Sequence, residues 1–239
     1  MPIEVIGVIA IIISYFVGNI SPAILLGKMH GIEIKKEGSG NAGTTNVLRV
    51  LGKKAAIITL LVDILKGVVV VLLAGYFLGP VMLLACGIAV VCGHIWPAIY
   101  GFKGGKGVAT TIGVVVATYP LLGLITIVTV LIVILITRRV SVGSILGALF
   151  LPLWVLFLAS HSFPSIGWII LQLQMRMGAT NIAHAVRFGG DINVLTALLV
   201  TWAAILGIII IAKHHANIVR IFKGEEPKLS FKKKEPKDE

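Results

Sequence analysis

The sequence has little charge, few cysteines and few acidic residues for its length. Of its 239 residues, 13% are charged and 57% are hydrophobic, whereas a soluble domain carries about 25% charged residues. This shortage of charge excludes an ordinary water-soluble enzyme. The two cysteines, Cys86 and Cys92, are too few for a disulfide framework, and we interpret both as apolar packing residues.

Several familiar catalytic motifs are also absent from the sequence. No His is followed five positions later by Asp, which excludes the usual acyltransferase dyad. There is no Gly-x-Ser-x-Gly nucleophile elbow, no His-Glu-x-x-His zinc site and no cluster of carboxylates. We therefore expect neither a metal ion nor a cofactor, and the sequence offers no obvious protein nucleophile.

Long apolar runs predict an all-α, polytopic membrane protein. A hydrocarbon core of ~30 Å requires about 20 apolar residues in a helix. The run 107–136 is too long for one span and contains Tyr119-Pro120, so it predicts two short helices joined by a tight turn. The total is then about seven transmembrane helices. The remaining spans are predicted at residues 5–26, 55–77, 81–100, 144–159 and 194–212.

The positions of Lys and Arg predict the orientation of these spans. We place the loops after spans one, three and five, together with the C-terminal tail, in the cytoplasm. That side then holds all of the 21 Lys and Arg residues except Lys66, Arg176 and Arg187. The positive-inside rule accordingly predicts an N-terminus outside and a C-terminus in the cytoplasm. We expect the basic surplus to face membrane lipids rather than nucleic acid.

The same pattern divides the chain into a membrane part and a tail. Residues 1–222 are predicted to form a single integral-membrane domain, and residues 223–239 a charged cytoplasmic tail. Residues 161–193 mix apolar and polar residues. An eighth span there would place the basic tail outside, so we predict an extra external or interfacial segment.

The first of three polar, glycine-rich segments covers residues 38–49. Its glycines, Gly40 among them, let the backbone approach a ligand closely. Neutral donors lie between the glycines, and Arg49 can bind phosphate through two hydrogen bonds. A flexible surface loop is the alternative interpretation. The neutral donors are Ser39, Asn41, Thr45 and Asn46.

The second segment comprises Gly93-His94 and residues 101–110. Glycines surround Lys106 directly before an apolar helix, which directs backbone amides and a positive helix end at one anion. The segment resembles a nucleotide-binding P-loop, but its spacing is one residue short. Gly107 also replaces the Ser or Thr that would hold magnesium. Phosphate binding is therefore favoured over ATP hydrolysis. The alternative is that these are simply basic residues that end a membrane span at the membrane border.

The third segment follows the last span, at residues 213–226. In one continuous helix, the spacing would place Lys213, Asn217 and Arg220 on the same face. His214 is interpreted either as a phosphate contact or as a structural donor. Ser144, before another apolar run, is interpreted as a helix cap that could also face an anion.

Asp63 and Lys66 are charged residues inside a predicted span. They lie three positions apart, so they can pair on one helix face. Charges inside a bilayer are costly and usually functional. We interpret the two as a structural ion pair beneath the site, and Lys66 reaching the membrane border is the alternative.

Together, these segments resemble the PlsY-type glycerol-3-phosphate acyltransferases, bacterial membrane enzymes whose acyl donor is acyl phosphate. The chain departs from the family pattern at Thr44, where alanine is usual, at His215 within the third motif, and in the length of residues 161–193. The motifs that carry the resemblance are Gly38-Ser39-Gly40-Asn41 with Thr45, Asn46 and Arg49; Gly93-His94 with Gly101-Phe102-Lys103-Gly104-Gly105-Lys106-Gly107-Val108-Ala109-Thr110; and His214, Asn217, Ile218, Arg220, Gly224 and Glu226.

The resemblance implies transfer of an acyl chain to the sn-1 hydroxyl of glycerol 3-phosphate, giving lysophosphatidate and phosphate. This is the first acylation step of bacterial phospholipid synthesis. It implies a multi-pass protein of the bacterial inner membrane with its active site on the cytoplasmic side. The expected partners are acyl phosphate, glycerol 3-phosphate and membrane lipids, with one chain acting as a monomer. A transporter of a phosphate ester and a lipid-binding scaffold remain alternatives.

The resemblance and the residue chemistry together assign roles to the polar residues. We expect Lys106, Ser39 and Asn41 to be catalytic, and Arg49, Ser144, His214 and Asn217 to bind glycerol 3-phosphate. A bound substrate phosphate is expected to accept the hydroxyl proton. The residues expected to bind the acyl-phosphate headgroup, largely through backbone amides, are Gly40, Gly104, Gly105, Gly107, Val108, Ala109 and Thr110.

Overall fold

The computed structural model describes residues 3–160 and 192–229, and within these ranges the regular structure is entirely helical. This confirms the predicted all-α membrane class. Arg176, Arg187, nearly all of the predicted interfacial segment and the tail after residue 229 lie outside the described residues. The described helices are α1 (Ile3–Gly18), α2 (Pro22–Met29), α3 (Thr44–Val50), α4 (Lys53–Leu78), α5 (Pro80–Ile95), α6 (Val108–Thr118), α7 (Pro120–Thr137), α8 (Val140–Ser160), α9 (Ile192–Lys213) and α10 (His215–Phe222), with a 3₁₀ turn at Ala98–Tyr100.

Six stretches of the described residues are long and apolar enough to cross a membrane. A further apolar helix, α6, has 11 residues, which corresponds to about 16 Å and only half of a hydrocarbon core. The seventh crossing and the orientation of the two termini therefore stay predictions. The six stretches are Glu4–Met29, Lys53–Leu78, Pro80–Tyr100, Pro120–Thr137, Val140–Ser160 and Thr196–Lys213.

The predicted break at Tyr119-Pro120 is confirmed. Helix α6 ends at Thr118, and α7 begins at Pro120. Tyr119 between them has an extended backbone, with φ of −150° and ψ of 97°. The residue before a proline is forced out of the helical region, so the chain turns sharply here.

The first predicted span differs from a single helix, because it is broken between α1 and α2. Pro22 is the first residue of α2, and Ser21 before it is extended, with φ of −114° and ψ of 95°. The Ser21 hydroxyl caps α2 by accepting the amide hydrogen of Ile24 at 3.4 Å. The break exposes main-chain carbonyls of α1 to side chains from neighbouring helices.

Close helix packing fixes the position of α6, whose N-terminal end directly follows Lys106 and Gly107 of the second polar segment. Helix α4 packs against both α5 and α6, while α1 packs on α5 and α8 packs between α7 and α9. A Cβ atom on Gly113 would lie 2.1 Å from the carbonyl oxygen of Ile64, and one on Gly67 would lie 2.5 Å from that of Thr110. Small residues of this kind let two membrane helices approach each other closely.

Candidate active site

The first polar loop is shaped by a buried side chain, Asn46. Its Oδ1 accepts the amide hydrogen of Ser39 at 2.8 Å, and its Nδ2 donates to the carbonyl oxygens of Ile34 and Glu37 at 3.2 and 3.0 Å. Asn46 was predicted as a ligand donor, but both ends of its amide are already bonded within the chain. It therefore holds the backbone of the loop at Ser39.

The other predicted residues of this loop lie around α3. Ser39, Gly40 and Arg49 are exposed, and Asn41 is half-buried. Arg49 lies in the last turn of the short helix α3. The exposed side chains of Ser39 and Arg49 are accessible to a ligand.

The glycine–lysine loop, residues 101–107, is tied to the end of α5 by main-chain hydrogen bonds. Gly104 and Gly105 donate their amide hydrogens to the carbonyl oxygens of Ile95 and His94, both at 3.1 Å. These two amides were predicted to hold an anion, and the structure differs because each already has a carbonyl partner. The loop ends at Gly107, whose positive φ of 84° precedes α6.

The amides that remain for an anion lie at the start of α6. The amide of Thr111 bonds to the carbonyl oxygen of Gly107 at 2.8 Å. The preceding amides, of Val108, Ala109 and Thr110, have no carbonyl partner earlier in the helix. The positive end of the helix thus lies directly after Lys106.

Lys106 joins the second segment to the third. Its half-buried ammonium group donates a hydrogen bond to Oδ1 of Asn217 at 2.5 Å. The Nδ2 of Asn217 donates to Glu226 Oε1 at 2.7 Å, and Arg220 Nε donates to Oε2 of the same carboxylate at 2.8 Å. Two predicted residues, Lys106 and Asn217, are therefore in contact although 111 positions separate them.

Glu226 was quoted in the family motif without a role, and the structure supplies one. Burial alone would raise the pKa of its carboxyl group, but hydrogen bonds from Asn217 and Arg220, together with the positive charge of Arg220, hold the pKa below its ordinary value. The carboxylate is therefore ionised and orients Asn217 toward Lys106. The motif position was the only sequence signal for it.

The third segment differs from one continuous helix. Helix α9 ends at Lys213, and α10 begins at His215. Lys213 consequently leaves the face shared by Asn217 and Arg220, and its ammonium lies 5.4 Å from the ring centroid of Trp96. The prediction that these three residues share one face was wrong, because it assumed one helix that continues through His214.

Ser144 is also placed differently from its predicted capping position. It lies inside α8, which begins at Val140, and its buried hydroxyl donates to the carbonyl oxygen of Val140 at 3.0 Å. A serine one turn into a helix bonds back to its own helix rather than capping it. Its predicted contact with glycerol 3-phosphate stays a prediction.

Burial and neighbouring charges shift the pKa values of two residues of the site, Lys106 and His214. Burial lowers the pKa of Lys106 to about 8, the negative charge of Glu226 opposes this, and the positive charges of Arg220, Arg49 and Lys213 lower it further. Burial likewise lowers the pKa of His214 to about 4. Near pH 7, Lys106 is therefore cationic and His214 is neutral, and the surrounding cations favour an anionic ligand.

The tautomer of His214 follows from its hydrogen bond. Its Nδ1 lies 2.8 Å from the carbonyl oxygen of Ile210, and a carbonyl oxygen only accepts. Nδ1 therefore carries the hydrogen in the neutral ring, and Nε2 is left as an acceptor. Such a nitrogen can accept a hydrogen bond from a substrate hydroxyl.

The predicted ion pair of Asp63 and Lys66 is present, and a third residue joins it. Lys66 Nζ lies 2.7 Å from Asp63 Oδ1 and 2.9 Å from His94 Nδ1. All three side chains are buried. Lys66 therefore stays inside the bundle instead of reaching the membrane border.

Comparison with known proteins gives one consistent result. The family model described as glycerol-3-phosphate acyltransferase matches residues 8–224. A glycerol-3-phosphate acyltransferase of Thermoanaerobacter pseudethanolicus is 45% identical over 177 residues, covering 73% of this chain and 89% of that protein. A glycerol-3-phosphate acyltransferase of Clostridioides difficile is 35% identical over 233 residues, covering 95% of this chain and 97% of the relative.

Two crystal structures of PlsY (YgiH), an integral membrane glycerol 3-phosphate acyltransferase, share the fold. The glycerol 3-phosphate form is 31% identical, with a TM-score of 0.73, covering 94% of this chain and 96% of that one. The lysophosphatidic acid form is also 31% identical, with a TM-score of 0.71 and coverage of 94% and 95%. The similarity extends over nearly the whole chain.

Proposed function

This chain belongs to the glycerol-3-phosphate acyltransferase family, and on that premise we propose that it transfers an acyl chain from acyl phosphate to the sn-1 hydroxyl of glycerol 3-phosphate. The products are lysophosphatidic acid and inorganic phosphate. The observation that carries the proposal is the contact of Lys106 with Asn217 beside the N-terminal end of α6. The contact supports the proposal because it brings the Lys106 ammonium, two residues before the first amide of α6, against a side chain of the third segment.

The positive charges around Lys106 support the binding of two anionic substrates. Arg49, Arg220 and Lys213 act on Lys106 in the same direction, and Glu226, already bonded to Arg220 and Asn217, is the opposing charge. Phosphate groups at a helix N-terminus gain from both the dipole and the free amides. We assign the acyl-phosphate headgroup to Lys106 and the amides of Val108, Ala109 and Thr110.

The chemistry of an acyl phosphate makes a protein nucleophile unnecessary. The hydroxyl oxygen of glycerol 3-phosphate attacks the acyl carbon, the bond from that carbon to the phosphate oxygen breaks, and phosphate leaves. Lys106 neutralises negative charge as it develops on the leaving group, which is where a preorganised cation acts most strongly. The hydroxyl proton passes to a bound phosphate oxygen, as the described residues place no carboxylate free of other bonds at this point.

The acceptor side is assigned to the remaining predicted residues. Arg49 binds the phosphate of glycerol 3-phosphate together with Asn217, whose Nδ2 donates one hydrogen to Glu226 and has a second for the substrate. His214 Nε2 accepts a hydrogen bond from one of the substrate's hydroxyls. Ser39, held by Asn46, and Asn41 line the same space from the first loop. We assign all of these side chains to one chain and propose that it acts as a monomer.

We place the site on the cytoplasmic side of a bacterial inner membrane, with the N-terminus outside. The distribution of Lys and Arg supports this placement. Apolar residues on the helix surfaces, such as Phe77 and Leu135, are exposed and would face lipid. The acyl chain can then lie between helices while its headgroup stays at the border.

The proposal is tested with purified protein in detergent, given acyl phosphate and radiolabelled glycerol 3-phosphate. We expect labelled lysophosphatidate and one phosphate released per product, and no product with acyl-CoA as donor. A phosphate-ester transporter would instead carry the label across liposome membranes without forming product. A lipid-binding scaffold would do neither, and either result would reject the proposal.

A further inference from the structure

The buried cluster of Asp63, Lys66 and His94 joins elements that are far apart in the sequence. Asp63 and Lys66 lie on α4, and His94 lies in the last turn of α5. The Lys66 ammonium also donates to the carbonyl oxygens of Gly18 at 3.1 Å and Ile20 at 2.8 Å. These carbonyls lie at the break between α1 and α2, so one ammonium group ties α1, α4 and α5 together.

Both members of the ion pair contact the same ring nitrogen of His94. His94 Nδ1 lies 2.9 Å from Lys66 Nζ and 3.2 Å from Asp63 Oδ1, so the ion pair holds this end of the ring from two sides. Apart from this nitrogen, Lys66 has three oxygens within 3.1 Å for its three hydrogens, and it therefore stays satisfied when the histidine nitrogen is removed.

The other end of the His94 ring lies against the glycine–lysine loop. A Cβ atom added to Gly105 would lie 2.1 Å from His94 Nε2 and 3.1 Å from the carbonyl oxygen of Ala42. The His94 carbonyl oxygen also accepts the amide hydrogen of Gly105 at 3.1 Å. Gly105 is thus enclosed between His94 and the first polar loop, one residue before Lys106.

We propose that His94 is a positioning residue for Lys106, holding the glycine–lysine loop against the first polar loop while Lys66 and Asp63 fix its ring. This inference rests on the proposed function, since Lys106 is placed there at the leaving phosphate. His94 acts through the backbone of Gly105. It was part of a quoted motif, but no role was assigned to it from the sequence.

The experiment compares His94→Asn, Gly105→Ala and the double variant in the acyl-phosphate assay. Asparagine can still accept a hydrogen bond from Lys66 but removes the far end of the ring. We expect His94→Asn to lower kcat/KM by about tenfold, because the loop loosens, and Gly105→Ala by about 100-fold, because the methyl group collides with the ring. In the double variant the methyl group enters the vacated space, so activity should recover at least about tenfold over Gly105→Ala.

The matched control is Cys92→Ala, in the same last turn of α5, which should leave activity and the unfolding temperature unchanged. Losses that multiply in the double variant would overturn the inference, since they would mean that His94 and Gly105 act separately. A wild-type protein that makes no lysophosphatidate would instead reject the proposed function.

A second readout does not depend on catalysis. An amine-acetylating reagent and peptide mass spectrometry would compare the modification rates of Lys106 and the exposed Lys103 in the same loop. We expect His94→Asn to increase the rate at Lys106 several-fold and to leave Lys103 unchanged. Equal protection of Lys106 in the wild type and His94→Asn would overturn the inference even in an inactive protein.

Discussion

Replacing Lys106 by alanine is expected to lower kcat/KM by about 10²- to 10³-fold, the usual effect of removing one preorganised group that stabilises developing charge. Lys106 is half-buried and held by Asn217, so its charge acts at a fixed position. The fold should be retained, because the side chain lies in a loop before α6. The measurement is the initial rate of lysophosphatidate formation at subsaturating substrate, alongside the unfolding temperature.

Lys103 provides the matched control for this change. It has the same charge, lies three residues earlier in the same loop and is exposed. Lys103→Ala should change kcat/KM by less than about threefold, because exposed charges interact weakly through water. Equal losses in both variants would mean that the loop supplies only diffuse positive charge.

The pH profile gives an independent measure of the same residue. The pKa of Lys106 in the free protein lies at about 8, below its ordinary value, so the side chain is cationic at lower pH and neutral above. We therefore expect kcat/KM, which reports the free enzyme, to fall as pH rises through about 8. Lys106→Arg should be less active but lack this fall, since guanidinium stays charged. A fall at the same pH in that variant would assign it to another group.

Replacing Asp63 by leucine is expected to lower the free energy of unfolding by about 3–5 kcal/mol, because it leaves Lys66 as an uncompensated buried charge. The two side chains are only 2% and 4% exposed and lie 2.7 Å apart. The measurement is the thermal unfolding midpoint of the purified protein in detergent. Asp63→Leu combined with Lys66→Met should recover only part of the loss, since no buried charge remains but the carbonyl oxygens of Gly18 and Ile20 lose their donor.

An exposed ion pair of the same spacing serves as the control. Glu33 and Lys36 also lie three residues apart, at 2.7 Å, but their side chains are 62% and 74% exposed. Glu33→Gln should leave the thermal unfolding midpoint nearly unchanged, because an exposed ion pair contributes little to stability. If Asp63→Leu were equally mild, the buried pair would not be an essential part of the bundle, and its role beneath the site would be contradicted.

Hydropathy and short-range rules predicted most of the fold. The spans appear because lipid requires about 20 apolar residues in a helix, and the turn at Tyr119-Pro120 appears because proline disfavours helix in the residue before it. The same rule acts at Ser21-Pro22. There, the surrounding apolar run concealed the break, because hydropathy does not distinguish one helix from two.

The sequence predicted which residues belong to the candidate site, but it did not predict the contacts between them. Lys106, Asn217 and Arg49 were named from residue type and motif, and two of them touch in the structure. The bonds of Gly104 and Gly105 to the end of α5 depend on tertiary packing, which spacing along the chain does not reveal. The meeting of His94 with Lys66 is of the same kind, since 28 positions separate them.

The central claim is that both anionic substrates bind together at one membrane-border site and that the acyl chain passes directly between them. The most direct test is to measure initial rates while acyl phosphate and glycerol 3-phosphate are varied together. Direct transfer predicts double-reciprocal lines that intersect, and no phosphate release without glycerol 3-phosphate. Parallel lines, with a burst of phosphate from acyl phosphate alone, would reveal a covalent acyl-enzyme and contradict the claim.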